Sequence, residues 1–203
     1  MISSKLTHKG PATGLIKYWI AYFLLKLSGW DVVGEVPNAR KFIFIGAPHT
    51  SNWDLFFMLL AFYIFRIRMS WMGKQSLFKP PLGILIKAIG GIPINRDKNQ
   101  GVVDQLAELY NHSEKLVIGL SPEGTRSHKD YWRSGFYWIA HKAKIPIFCG
   151  YLDYRNKRAV MGVSLIPTGN VKNDMDKIRE FYKKANLDYL KSNHKIRLKE
   201  EEK

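Results

Sequence analysis

Apolar positions along the chain gather into short runs separated by polar, glycine-rich and proline-rich punctuation. The runs alternate in kind. Lys41 to Gly46 encloses four consecutive apolar residues between polar neighbours and predicts a buried strand. Met69 to Met72, Leu116 to Leu120, Ile145 to Tyr151 and Val160 to Ile166 predict further strands, and Ile92 to Ile94 a brief extended segment after Gly90-Gly91. Between them lie helical patterns. One is capped by Ser51 or Asn52 and runs to about Phe65; another spans Pro81 to Ala88 with proline in its first turn. Gly101 to Tyr110 places Val102, Val103, Leu106, Leu109 and Tyr110 on one face. Phe136 to Lys142 is helical. So is Asp174 to about Leu190, with Ile178, Phe181, Tyr182 and Ala185 inward. Strands alternating with helices imply an α/β fold with a mixed, largely parallel sheet flanked by helices. No repeat or linker interrupts the pattern, so a single domain is expected over 1–203. Its α/β core would span 41–166, its C-terminal helix 172–190 and its charged, frayed tail 191–203.

The stretch from about 13 to 30 stands apart. Leu15 to Leu27 is apolar except for Lys17 and Lys26, too short and too charged for the roughly 20 apolar residues of a membrane span. It lacks the small-residue cleavage site of a signal peptide. Trp19, Tyr22, Phe23 and Trp30 with snorkelling lysines suit an amphipathic helix lying in a membrane interface. The alternative is a helix packed on the core.

Charge sharpens the question of partners. Lys and Arg number 32 against 17 Asp and Glu, a net +15, so partners should be anionic: nucleic acid, acidic lipid or a phosphorylated substrate. The basic residues are dispersed and form no helix-turn-helix, zinc-finger or RNP pattern, which argues against nucleic acid. The histidines beyond His49 (His8, His112, His128, His141 and His194) lack paired metal-ligand spacing, so no metal is expected. The single cysteine, Cys149, lies in an apolar run; it suits a reducing compartment and reads as a small buried hydrophobe.

Three loops that follow strand-like runs carry the chemistry, and in such sheets ligands bind at the carboxyl ends of strands. In the first, His49 precedes Asp54 by five residues; an imidazole works as a general base when a carboxylate holds its other N–H. The second, Gly90 to Arg96, ends in a guanidinium able to fork onto a phosphate. The third, Ser121 to Arg126, folds Glu123 and Arg126 into one tight turn. Each has a plain structural alternative. These are a carboxylate in a helix's first turn, a surface arginine, and a solvated Glu–Arg pair worth little.

Taken together, these loops resemble the glycerolipid acyltransferase family typified by 1-acylglycerol-3-phosphate acyltransferases. His49, Ser51 and Asp54 match its His-x-Ser-x-x-Asp-like block; Gly90, Ile92, Ile94 and Arg96 match its second block. Pro122-Glu123-Gly124-Thr125-Arg126 matches the third at every place, and Ile145-Pro146-Ile147 corresponds to a fourth, strand-like block. The resemblance runs from about Lys41 to Tyr151. Pro48 stands where the family often has Asn, Ser121 where it commonly has an aromatic, Cys149 where a second proline is frequent, and Gln75-Ser76 where an acidic residue is usual. These departures border the pocket and bear on the acceptor.

The resemblance implies transfer of a fatty acyl group from acyl-CoA or acyl-ACP to a hydroxyl of a lysophospholipid in phospholipid biosynthesis. The default acceptor is 1-acylglycerol-3-phosphate; the alternatives are another lysolipid or hydroxylated lipid, or a non-catalytic lipid-binding role. It implies catalytic roles for His49, Asp54 and Glu123, with Glu123 ordering the loop rather than acting as a second base. Arg96, Gly124, Thr125, Arg126, Ser51 and Asn52 are expected at the substrate, and backbone N–H groups after His49 at the oxyanion. No bound cofactor is expected. The expected location is the cytoplasmic face of a membrane bearing anionic lipid, as a peripheral or monotopic protein.

Overall fold

The computed structural model describes residues 8–49, 51, 53–94, 101–124, 130–185 and 195–202. Its centre is strand β2 (Lys41–Gly46). Phe42 and Phe44 point to one face of the sheet, Ile43 and Ile45 to the other, and all four are buried. A strand covered on both faces belongs inside a parallel sheet. The remaining strands are β1 (Asp31–Val33), β3 (Ser70–Lys74), β4 (Gly91–Ile94), β5 (Leu116–Leu120), β6 (Ile147–Asp153) and β7 (Arg158–Leu165). They form one seven-stranded sheet in the order β1-β7-β6-β2-β5-β3-β4. Every pairing is parallel except the β6–β7 hairpin. The sheet is therefore mixed and largely parallel, and the carboxyl ends of β2, β5, β3, β4 and β6 lie along one edge.

The helices split into two layers. On the Phe42/Phe44 face, α1 (Leu15–Ser28) and α2 (Trp53–Ile64) enclose Tyr18, Leu25, Met58, Phe62, Phe148 and Met161. On the opposite face, α4 (Val102–His112), α5 (Gly135–Ala143) and α6 (Val171–Lys184) enclose Leu106, Tyr137, Ile139, Met175 and Tyr182. A 3-10 helix (Gln75–Phe78) and the short α3 (Leu82–Ala88) join β3 to β4. Two tyrosines tie this second layer to strand backbone. The Tyr182 hydroxyl donates to the carbonyls of Ile45 (3.0 Å) and Gly150 (3.2 Å), and Tyr110 donates to that of Phe42 at 2.8 Å.

Two expectations change. Helix α1 buries only the stripe Tyr18, Ala21 and Leu25 against the core, while Leu15, Ile16, Trp19, Ile20, Phe23 and Leu27 are exposed. It is apolar on its outward face as well as its inward one, and so is not amphipathic in the ordinary sense. At 14 residues it is about 21 Å long, and among the described residues no helix is long and apolar enough to cross a membrane. The end of the chain is also not wholly frayed. Ile196 and Leu198 are buried, Leu198 bridges Trp132 in parallel, and Glu201 pairs with Arg179 at 2.8 Å. Charged neighbours hide these two apolar anchors from a compositional reading.

Candidate active site

Strand β2 ends at Gly46 and the chain turns through Pro48 into α2. This turn carries His49 to the sheet edge and sets Asp54 in the first turn of α2. His49 Nδ1 lies 2.9 Å from Asp54 Oδ2. The pairing assigns the Nδ1–H tautomer, which leaves the Nε2 lone pair to take a proton. The same Oδ2 accepts the Ser51 N–H at 2.8 Å, so the carboxylate closes its own loop as well as orienting the ring. Its other oxygen, Oδ1, accepts the Tyr154 hydroxyl at 2.6 Å. Asp54 is buried; three donors compensate for its removal from water.

Glu123 enters from β5, the parallel neighbour of β2. It is buried, and its Oε2 accepts the backbone N–H of His49 at 3.0 Å. The carboxylate thus holds the histidine's main chain in place. The turn that carries it is closed by Gly124 N–H donating to Ser121 O at 3.2 Å, with Gly124 at φ +65°, a conformation glycine adopts without strain. A Cβ at Gly124 would come within 2.6 Å of Arg133 Cδ.

The expected oxyanion donors need revision. The N–H groups of Ser51, Trp53 and Asp54 are engaged inside the turn by Asp54 Oδ2, Ser51 Oγ and Ser51 O. Ser51 Oγ, expected at the substrate, accepts the Trp53 N–H at 3.1 Å. The His49 N–H is taken by Glu123. A helix start that satisfies its own donors has none of these to offer a ligand. Asn52, Arg96, Thr125, Arg126 and His128 lie outside the described residues. The described strand β4 is parallel to β3 and ends, at Ile94, on the same sheet edge as β2.

A cavity of about 470 Å³ opens beside the dyad. His49, Asp54, Ser121 and Gly124 line its polar side; Phe44, Leu55, Met58, Met69, Trp71 and Leu152 make its wall apolar. A second cavity of about 330 Å³ shares Met72, Leu120, Ser121 and Gly124 with it and reaches Arg133. Among the described residues no cluster of His, Cys, Asp and Glu could hold a metal ion.

Two residues of this site escape the motif blocks. Tyr154 sits in the β6–β7 turn and reaches Asp54 across the sheet edge; its ring packs edge-on against Trp30 (5.1 Å) and Phe57 (6.3 Å). Burial pushes its pKa up, and the hydrogen bond and charge of Asp54 add to the shift, so the phenol stays a donor. Arg133 is brought to Gly124 because its N–H donates to Pro122 O at 2.8 Å. Tyr154 directly follows the end of β6 and Arg133 lies just before the start of α5, and neither falls in a motif block.

A half-buried His49 paired with a buried Asp54 at the sheet edge, beside an apolar-walled cavity, is an arrangement suited to general-base chemistry. Residues 31–152 match the acyltransferase family, and the chain belongs to that family. Among solved structures, the chain is similar to the crystal structure of the 1-acyl-sn-glycerophosphate (LPA) acyltransferase PlsC from Thermotoga maritima. The TM-score is 0.59 at 19% identity, covering 88% of this chain and 79% of that one. The likeness is one of fold. No curated protein matches the chain.

Proposed function

We propose that the protein moves a fatty acyl group from acyl-CoA or acyl-ACP onto a hydroxyl of a lysophospholipid, with 1-acylglycerol-3-phosphate as the default acceptor. The observation that carries the reading is the 2.9 Å contact of His49 Nδ1 with Asp54 at the mouth of an apolar-walled cavity. His49 Nε2 removes the proton of the acceptor hydroxyl as that oxygen attacks the thioester carbonyl. The tetrahedral intermediate collapses, the C–S bond breaks, and the imidazolium returns the proton to the leaving thiolate. The acceptor attacks directly, so no acyl-enzyme is formed and no bound cofactor is needed. Asp54 stabilises the imidazolium, Glu123 anchors its backbone, and the apolar wall takes the acyl chain. Arg96, Thr125 and Arg126 are proposed, from the family resemblance, to bind the acidic headgroup.

The exposed apolar side of α1 supports contact with an anionic membrane, with Lys17 and Lys26 toward the headgroups, and the face proposed is the cytoplasmic one. Incubating the protein with labelled acyl thioester and a panel of lysolipids, then identifying products by mass spectrometry, tests the reading. We expect a diacyl product with wild type and none with His49→Ala. Product formation by His49→Ala at the wild-type rate would exclude this mechanism.

A further inference from the structure

We propose that the 3-10 helix and α3 form a second membrane-contact element beside α1, seated on a bilayer with anionic headgroups. This rests on the membrane reading of α1 given above. Helix α3 packs inward through Gly83 and Ile86 alone. The Gly83 backbone fits so closely under Phe78 that a Cβ there would meet the Phe78 carbonyl at 2.0 Å. The short helix therefore turns its remaining aliphatic side chains out: Leu82 is 53% exposed, Ile84 70% and Leu85 61%, with Leu77 before them at 43%. Aliphatic side chains grouped this way on a surface mark a contact site.

The surface adjoins α1. Lys17 of α1 donates to the carbonyl of Ala88, the last residue of α3, at 3.3 Å. Charge names the occupant. All 17 acidic residues of the chain lie outside 1–30 and 55–96, the two segments that hold α1 and α3. Exposed lysines 74, 79 and 87 flank the aliphatic residues, as Lys17 and Lys26 flank those of α1. Aliphatic side chains among lysines, on segments that contain no carboxylate, match the acyl boundary and headgroups of an anionic bilayer. The element hangs directly from β3, whose Trp71 and Met72 line the cavity, so this contact sets the cavity wall against the bilayer.

Cysteine labelling tests this, because the native Cys149 is fully buried. An environment-sensitive fluorophore is attached to Ile84→Cys on α3, Ile20→Cys on α1 and Lys177→Cys on α6, each variant first shown to keep the wild-type thermal transition. Phosphatidylcholine vesicles with phosphatidylglycerol should blue-shift and brighten the first two labels severalfold and leave the third unchanged. Nitroxide-bearing acyl chains should quench the same two, and high salt or pure phosphatidylcholine should weaken the response. A response at 20 with none at 84 overturns the second contact and leaves the α1 reading standing. No response at either overturns both. A signal at 84 that rises with protein concentration without vesicles marks a second copy of the chain on this surface, and also overturns the proposal.

Discussion

The Tyr154 hydroxyl, 100 residues away along the chain, donates to Asp54 Oδ1 at 2.6 Å while His49 Nδ1 meets Oδ2 of the same carboxylate at 2.9 Å. The phenol thus fixes the orientation in which the carboxylate meets the ring. Tyr154→Phe frees Oδ1 and should lower kcat roughly fivefold, about 1 kcal/mol of the larger worth of a hydrogen bond to a charged group. Steady-state rates on the acyl thioester check it, with the thermal transition measured alongside to separate lost orientation from lost folding.

Asp54→Asn keeps an oxygen and replaces the charge. Loss of the carboxylate behind a catalytic histidine costs on the order of 10⁴ in kcat in a well-studied His–Asp pair. A loss approaching that size is expected here, with an unchanged circular dichroism spectrum. Steady-state rates on the acyl thioester check it.

Glu123 acts through the His49 backbone, so acceptor capacity matters more than its charge. Glu123→Gln should retain a measurable fraction of wild-type activity. Glu123→Ala leaves the His49 N–H without this acceptor and should cost about 1–3 kcal/mol in denaturant unfolding as well as most of the activity.

Leu152 contributes to the apolar wall of the 470 Å³ cavity. Leu152→Trp should shift the preferred acyl donor toward shorter chains. Each methylene lost from the cavity weakens binding by about 0.8 kcal/mol, close to fourfold in kcat/KM. A series of acyl-CoA lengths reads this out.

The tail offers a stability test. Leu198 is fully buried against the α5–α6 layer, so Leu198→Ala should destabilise by about 3 kcal/mol and lower Tm by roughly 10 °C. Differential scanning calorimetry measures it.

Much of this architecture is legible in the sequence because the central strands are buried on both faces. Unbroken apolar runs such as Phe42 to Ile45 and Val117 to Ile118 have no other stable home. Strand β1 is not legible: it has three residues, its ends are exposed, and only the ladder to β7 defines it. His49 and Asp54 are visible as a motif because both lie on one turn. Tyr154 is not, because a hairpin folded by the antiparallel β6–β7 pairing delivers it. The target of Glu123 is equally hidden, since it is a backbone N–H and carries no sequence signal.

The register of β2 on β5 sets Ile45 opposite Leu120, four residues before His49 and three before Glu123. A deletion in either strand would part the histidine's backbone from its carboxylate before any side chain was altered. Substitutions that preserve the ladder leave that distance alone. The site therefore tolerates replacement within these two strands far better than insertion, because its histidine is positioned by a count of residues as much as by their kind.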